Sequence, residues 1–391
     1  MLRHERVPFV SYPYEWTFSM LRDAALLQLD LMLDALAEGM ILKDATPYNV
    51  QWRGARPVFV DVGSFEALRD GEPWAGYRQF CSLFLYPLLM QAWRRAPFNP
   101  WLRGSLEGIS PGEARSLLGG RDLLRRGAFT HVVMHSRLDR RYAARGGDVR
   151  SELRRAGFDR RLIEANVRGL RRLVSRLEWR PAGSPWLAYA PTTSYDEADA
   201  GRKEAFVRDA AAARHRRLVW DLGANGGRFT RLAAEHADYA LALDADASVV
   251  ERLYLELRAA GERRILPLVA NLADPAPGLG WRGVERPPLS ERGRPDLVLC
   301  LALVHHLAIS ANVPPAAIVD WLASLRAELV VEFPTRDDEQ VRSLLARKRE
   351  GLHADYERAG FERLLGAAFE LARTEELAGG TRVLYLARPR A

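Results

Sequence analysis

Residues 219–233, VWDLGANGGRFTRLA, decide how the chain is read. An apolar strand closes on Asp221, the chain turns through Gly223, Asn225, Gly226 and Gly227, and a helical pattern begins. Glycines at such a turn take backbone angles that other residues avoid and let a ligand approach the main chain. The first turn of the following helix leaves N–H groups free to meet that ligand. The pattern cradles a nucleotide-like molecule, and by itself it suits dinucleotide-binding proteins as well.

The flanking sequence narrows this reading. RLVWDLG, YALALDAD, RILPLVAN, PDLVLCLAL and AELVVEFP read as short apolar strands, alternating with helices from about 227, over 248–260 and near 315–326. Two late strands follow, FELARTEEL and TRVLYLAR. Such alternation predicts a parallel sheet covered on both faces. Asp244, 23 positions after Asp221, closes the second strand, where a carboxylate accepts both hydroxyls of a ribose. Asn271 closes the third, where an amide suits an adenine edge. Either acid alone also fits a helix cap, and Asp246 would cap the helix after Asp244 equally well. With both acids at matching strand ends and the elements in this order, residues 186–391 resemble the class I S-adenosylmethionine-dependent methyltransferases. The resemblance implies a Rossmann-like, seven-stranded sheet with its last strand antiparallel and S-adenosylmethionine as cofactor. It implies cofactor contacts from Asp221, Gly223, Asn225, Gly226, Asp244, Asn271, Leu272 and Leu301.

The acceptor is less legible. His305 and His306 lie just beyond the fourth strand, at the edge where ligands sit in open α/β sheets, so one of them is the candidate general base. No Asn/Asp-Pro-Pro-aromatic sequence follows that strand and no nucleophilic cysteine pair is present, which leaves oxygen methylation favoured by elimination. Candidate acceptor contacts are Tyr195 ahead of the first strand, Trp281 and Arg282 in the 25-residue segment 272–296, and Glu332 at the end of the fifth strand. A small-molecule or glycan-like acceptor is the expected partner. RNA methylation and a non-catalytic S-adenosylmethionine-binding module are the alternatives.

The N-terminal stretch LKDATPYNVQWRGARPVFVDVGSFE, residues 42–66, carries a second pattern. Asp44, Asn49 and Asp61, with Gly63 two positions after Asp61, have the Asp-x4-Asn and Asp-x-Gly spacing by which kinases orient the acceptor hydroxyl and hold magnesium. A helix over 17–38 precedes it, with Met20, Ala24, Leu27, Leu31 and Ala35 in register and Gly39 at its end, and a strand pair lies inside it. Residues from about 15 to 95 thus resemble the C-lobe of aminoglycoside-phosphotransferase-like kinases. Leu42-Lys43 replaces the usual His-Arg or His-Gly, and neither a glycine-rich phosphate loop nor a strand lysine with its glutamate precedes it. A scaffold is therefore expected, with a magnesium-ATP phosphotransferase as the alternative. The expected organisation is a kinase-like fragment over 1–104, a helical region and linker over 105–185, and a methyltransferase domain over 186–391. The combination resembles nodulation-type and uncharacterised bacterial methyltransferases.

Composition fits this picture. A chain of 391 residues has room for more than one core, since single cores stop growing near about 250 to 300 residues. No apolar run nears the roughly 20 residues of a membrane span and no apolar signal core opens the sequence, so the expected location is cytoplasmic. The charge of +7 comes almost wholly from arginine, with lysine only at Lys43, Lys203 and Lys348. It is spread along the chain, which is weak support for a nucleic-acid partner. Cys81 and Cys300 sit in apolar runs and are expected in the core, without a metal site.

Overall fold

A computed structural model describes residues 4–69, 71–145, 159–181 and 197–390. They form two compact units: Val10–Trp52 with the residues from Pro57 to 181, and 197–390 with the residues up to Phe9 and Arg53–Arg56.

In the first unit, Thr17 caps α1 (Phe18–Ala37) by accepting the Met20 N–H at 3.4 Å, and Gly39, in the left-handed region at φ +72°, follows its end. The expected stripe is shifted. Leu27 and Leu31 are only half-buried, whereas Gln28 and Met32 are buried. The cause is that α1 is packed on more than one side, so its buried arc is wider than a single helical stripe. Beyond α1, β1 (Met40–Leu42) pairs antiparallel with β4 (Phe65–Ala67), and between them β2 (Val50–Arg53) and β3 (Arg56–Phe59) pair with each other. The apolar segment from Tyr77 to Arg94 is helical but contains a π-helical turn over Cys81–Leu85 before α2 (Tyr86–Arg94). Within the helical region expected over 105–185, residues 122–129 (DLLRRGAF) do not form one helix. The helix stops at Leu123 and Gly127 takes φ +89°, after which a second π-helical turn, Phe129–Met134, leads into α3 (His135–Arg145). Asp159 caps α4 (Arg160–Ser175), whose Ile163, Val167, Leu170 and Val174 are buried at spacings of four, three and four, and Arg171 pairs with Asp30 of α1.

In the second unit, α5 (Glu197–Ala212) leads into a seven-stranded mixed sheet of β5 (Arg216–Leu222), β6 (Ala237–Asp244), β7 (Ile265–Val269), β8 (Leu297–Cys300), β9 (Glu328–Pro334), β10 (Phe369–Glu376) and β11 (Arg382–Pro389). The order is β10-β11-β9-β8-β5-β6-β7. The first five strands run parallel, and β11 lies antiparallel to both β9 and β10, as the resemblance implied. Crossovers through α6 (Arg228–Ala234), α7 (Ala247–Ala259) and α8 (Pro315–Ser324) account for the near-continuous apolar strands. All four residues of β8 are buried. Between β9 and β10 the chain adds α9 (Glu339–Leu345) and α10 (Arg358–Ala368), which the sequence reading did not mark. Phe333 of β9 stacks on Tyr356 and on Phe361 of α10, with ring centroids 4.7 and 4.6 Å apart. Among the described residues no helix is long and apolar enough to cross a membrane.

Candidate functional site

Because β5, β6, β7 and β8 run parallel, the residues at their carboxyl ends share one edge of the sheet. Asp221 is next to last in β5 and only 2% exposed. The Thr230 hydroxyl of α6 donates to it at 2.6 Å. Burial pushes its carboxyl up to about 6, opposed by the Thr230 hydroxyl and by the charge of Lys203. Asp244 ends β6. One of its oxygens accepts the Asn225 N–H and the other the Asp246 N–H, both at 2.9 Å, while burial raises its carboxyl above the usual range.

The glycine loop is therefore tied to the neighbouring strand. The N–H groups of Gly223 and Ala224 both donate to Leu243 O, at 2.8 and 3.0 Å, and Asp244 holds Asn225. Gly223 and Gly227 lie at φ +76° and +75°, and a Cβ on Gly227 would stand 2.8 Å from Leu253. Gly226 is open on its side-chain face apart from an Arg252 nitrogen at 3.5 Å from an added Cβ. Asp246, not Asp244, caps α7, accepting the N–H groups of Ser248 at 2.8 Å and Val249 at 3.4 Å. That separates the two roles that the sequence left open for Asp244.

Asn271 lies two residues past β7, exposed, with its side-chain oxygen on the Ala273 N–H at 3.0 Å; Leu272 beside it is half-buried and Leu301, directly after β8, is buried. His305 is fully buried, with neither ring nitrogen hydrogen-bonded among the described residues, and its ring centroid is 4.1 Å from that of His306. Burial first, then His306 and Arg382, hold His305 neutral, opposed by the charge of Glu332 and, less, by Gln340. His306 is half-buried and depressed to about 4, again mainly by burial. Trp281 is 75% exposed and Arg282 sits at φ +57° on a small loop closed by the Leu279–Arg286 bridge. Tyr195 lies outside the described residues.

Glu332 is placed differently from the expectation that it faces an acceptor. It is fully buried and ion-paired to Lys203 of α5 at 2.5 Å and to Arg382 of β11 at 3.0 Å. Arg382 also pairs with Asp338 at 2.7 Å, and Asp338 caps α9. Lys203 lies 4.8 Å over the Phe229 ring of α6. The sequence reading missed Lys203, Asp338 and Arg382. The available signal was Lys203 itself, a lysine where nearly every other cation is arginine.

In the first unit, Asn49 and Asp61 come together. The Asn49 amide donates to Asp61 at 3.1 Å and to the Ser64 hydroxyl at 3.2 Å, and Ser64 donates to Asp61 at 2.6 Å. Asp44 is fixed through its main chain: Gln28 of α1 donates to its carbonyl at 2.9 Å, and the Gln79 side chain accepts the next N–H, that of Ala45, at 2.7 Å.

A separate cluster lies around the two π-helical turns. Tyr77 hydrogen-bonds His131 at 2.9 Å, and Tyr86 donates to the His131 carbonyl and meets His135, each at 2.7 Å. Burial depresses His131 to about 4 and lowers His135. These histidines, with His305 and His306, are neutral in the fold and take up protons more readily when unfolded. For His131 and His306 that contribution to stability is complete above pH 6.5 and is lost as pH falls towards 4. Asp221, raised to about 6, opposes this, since it favours the fold as pH drops. Urea unfolding should show stability falling between pH 6.5 and 4, with His131 supplying up to about 3 kcal/mol; His131→Phe should flatten part of that slope, and an unchanged slope would contradict the assignment.

The chain matches no family model. It is 33% identical over 387 residues to the nodulation protein NoeA of Rhizobium meliloti (strain 1021), covering 98% of this chain and 81% of that protein. Among solved structures, the N-methyltransferase NodS of Bradyrhizobium japonicum WM9 with S-adenosyl-L-homocysteine matches with a TM-score of 0.37 at 10% identity, over 53% of this chain and 98% of NodS. The magnesium protoporphyrin IX methyltransferase ChlM of Synechocystis PCC 6803 matches with a TM-score of 0.36 at 18% identity, over 52% of this chain and 92% of ChlM. With that level of identity sustained along nearly its whole length, the chain belongs to the family of the nodulation protein NoeA.

Proposed function

We propose that the protein is an S-adenosylmethionine-dependent methyltransferase whose cofactor site lies at the carboxyl ends of β5 and β6. The observation that carries this reading is Asp244: it ends the strand beside the glycine loop and binds that loop through Asn225, while Asp246 does the helix capping. The donor set suits the cofactor. Asp221 and the Gly223–Gly227 turn offer a carboxylate and open backbone to its methionine portion, Asp244 offers oxygens to ribose hydroxyls, and Asn271 with Leu272 and Leu301 suits the adenine. When bound, the cofactor supplies an electrophilic methyl group; the chain's part is to hold it, exclude water and accept the proton of the acceptor.

For an oxygen acceptor on a small molecule, His306 is the better base of the two histidines. It is half-buried and neutral near pH 7, whereas His305 has no exposed surface. In the first unit, the Asn49–Asp61–Ser64 hydrogen bonds support a kinase-like scaffold in which these side chains secure their own loop.

Incubation with methyl-tritiated S-adenosylmethionine and a bacterial small-molecule extract should transfer label. His306→Ala should cut the rate by about 100-fold while S-adenosylhomocysteine still binds. Cofactor binding with no transfer to any extract would instead favour a regulatory S-adenosylmethionine-binding module.

A further inference from the structure

Between β9 and β10 the chain builds a cavity that the cofactor site does not use. It has a volume of about 570 Å³, begins with Arg336, two residues past β9, and runs along α9 to His353. Arg336, Arg342, Lys348 and Arg349 line it against two carboxylates, Asp337 and Glu350, so its lining is positive. In the same unit Arg358 and Arg373 each meet two acids. Arg342 and Arg349 differ: both are exposed, and among the described residues neither guanidinium has a hydrogen bond or ion pair. The Lys348 ammonium donates to two neutral oxygens, Asn312 Oδ1 at 3.0 Å and the Ser310 carbonyl at 3.4 Å, which leave its charge unmatched.

The walls of this cavity are anchored. Arg336 donates to the His353 carbonyl at 2.7 Å and lies 3.5 Å from Glu357, while Asp338 caps α9 and is held by buried Arg382. His353 also lines the cavity, and its Nε2 is buried with no partner among the described residues. Lys348 ties the cavity to the segment after β8. Ser310 ends a π-helical turn that starts at His306, and α9 packs on that turn. Because β8 and β9 run parallel, the cavity lies past their carboxyl ends, on the sheet edge that also carries Asp221 and Asp244.

We propose that this cavity is an anion subsite that anchors a phosphate or sulfate ester group of the methyl acceptor, with Arg342, Lys348 and Arg349 as its cations. Guanidinium groups meet the oxygens of a tetrahedral oxyanion in pairs, and a cleft of one charge sign concentrates ligands of the other. Asp337 and Glu350 weaken this field without cancelling it. The acceptor role rests on the methyltransferase reading given above; the anion site does not.

The probe is inorganic phosphate at pH 8, followed by the broadening of its phosphorus-31 NMR signal when the full chain is added. Millimolar binding is expected, weakened at least about tenfold in Arg342→Gln with Arg349→Gln. Arg326→Gln with Arg363→Gln removes the same charge at exposed positions outside the cavity and should leave binding near the native level. Equal binding by native protein and the Arg342/Arg349 variant, or an equal loss in the control pair, would overturn the site. The label-transfer assay then identifies the source of the anion. Passing the extract over an anion-exchange resin, or treating it with phosphatase and sulfatase together, should remove the acceptor. Transfer that survives both treatments would mean a site for free phosphate and overturn the acceptor role. Native protein that binds no S-adenosylhomocysteine, or transfers no label from any extract, would sink the methyltransferase reading and the acceptor role with it, and phosphate broadening would still decide the cavity.

Discussion

Replacing Asp244 by alanine is expected to weaken S-adenosylhomocysteine binding by about 100-fold or more with little change in folding. Two effects combine. The ligand loses charge-assisted hydrogen bonds to its ribose, each worth about 1.5 to 3 kcal/mol, where about 1.4 kcal/mol is tenfold in affinity. The glycine loop also loses the Asn225 N–H bond that holds it against β6. Asp246 retains the cap of α7, so the fold keeps its adjacent anchor. Calorimetry with a far-ultraviolet spectrum of the variant checks both parts. An affinity within about threefold of the native value would show that Asp244 is only a loop tether.

The second large effect is on stability. Glu332→Ala should cost about 3 to 5 kcal/mol, because it leaves Lys203 and part of Arg382 charged in a buried site. Urea unfolding at pH 7 measures this directly. Glu332→Gln, which keeps the volume and hydrogen-bonding atoms, should cost less, and a loss below about 1 kcal/mol for Glu332→Ala would mean that the cluster relaxes towards solvent.

The parallel sheet was legible because its signals are local. Short apolar strands, the glycine turn and acids at strand ends all lie within windows of a few residues, and the strands appear where the pattern placed them. Asn49 and Asp61, 12 positions apart, were likewise readable, since a strand pair between them returns one to the other. The buried ion cluster was not readable. Lys203 and Glu332 are 129 positions apart, Glu332 and Arg382 are 50 apart, and only the sheet order brings β9 and β11 side by side. At the end of β9, a glutamate that looked available for an acceptor proves to be spent on the core. Gln28 was missed for a related reason: a helix packed on several sides buries an amide that a single apolar stripe would place outside, and the Asp44 carbonyl uses it. Within the region expected to be helical, the break inside 122–129 turns on Gly127, whose left-handed backbone outweighs the leucines and arginines before it.

The measurement that tests the central claim most directly is calorimetric titration of the full chain with S-adenosylhomocysteine and, separately, with magnesium-ATP, repeated on Asp244→Ala and Asp61→Ala. The expected result is saturable S-adenosylhomocysteine binding that is lost in Asp244→Ala and kept in Asp61→Ala, with no magnesium-ATP signal. Folded native protein that takes up no S-adenosylhomocysteine at high micromolar concentration, or that binds magnesium-ATP through Asp61, would contradict it.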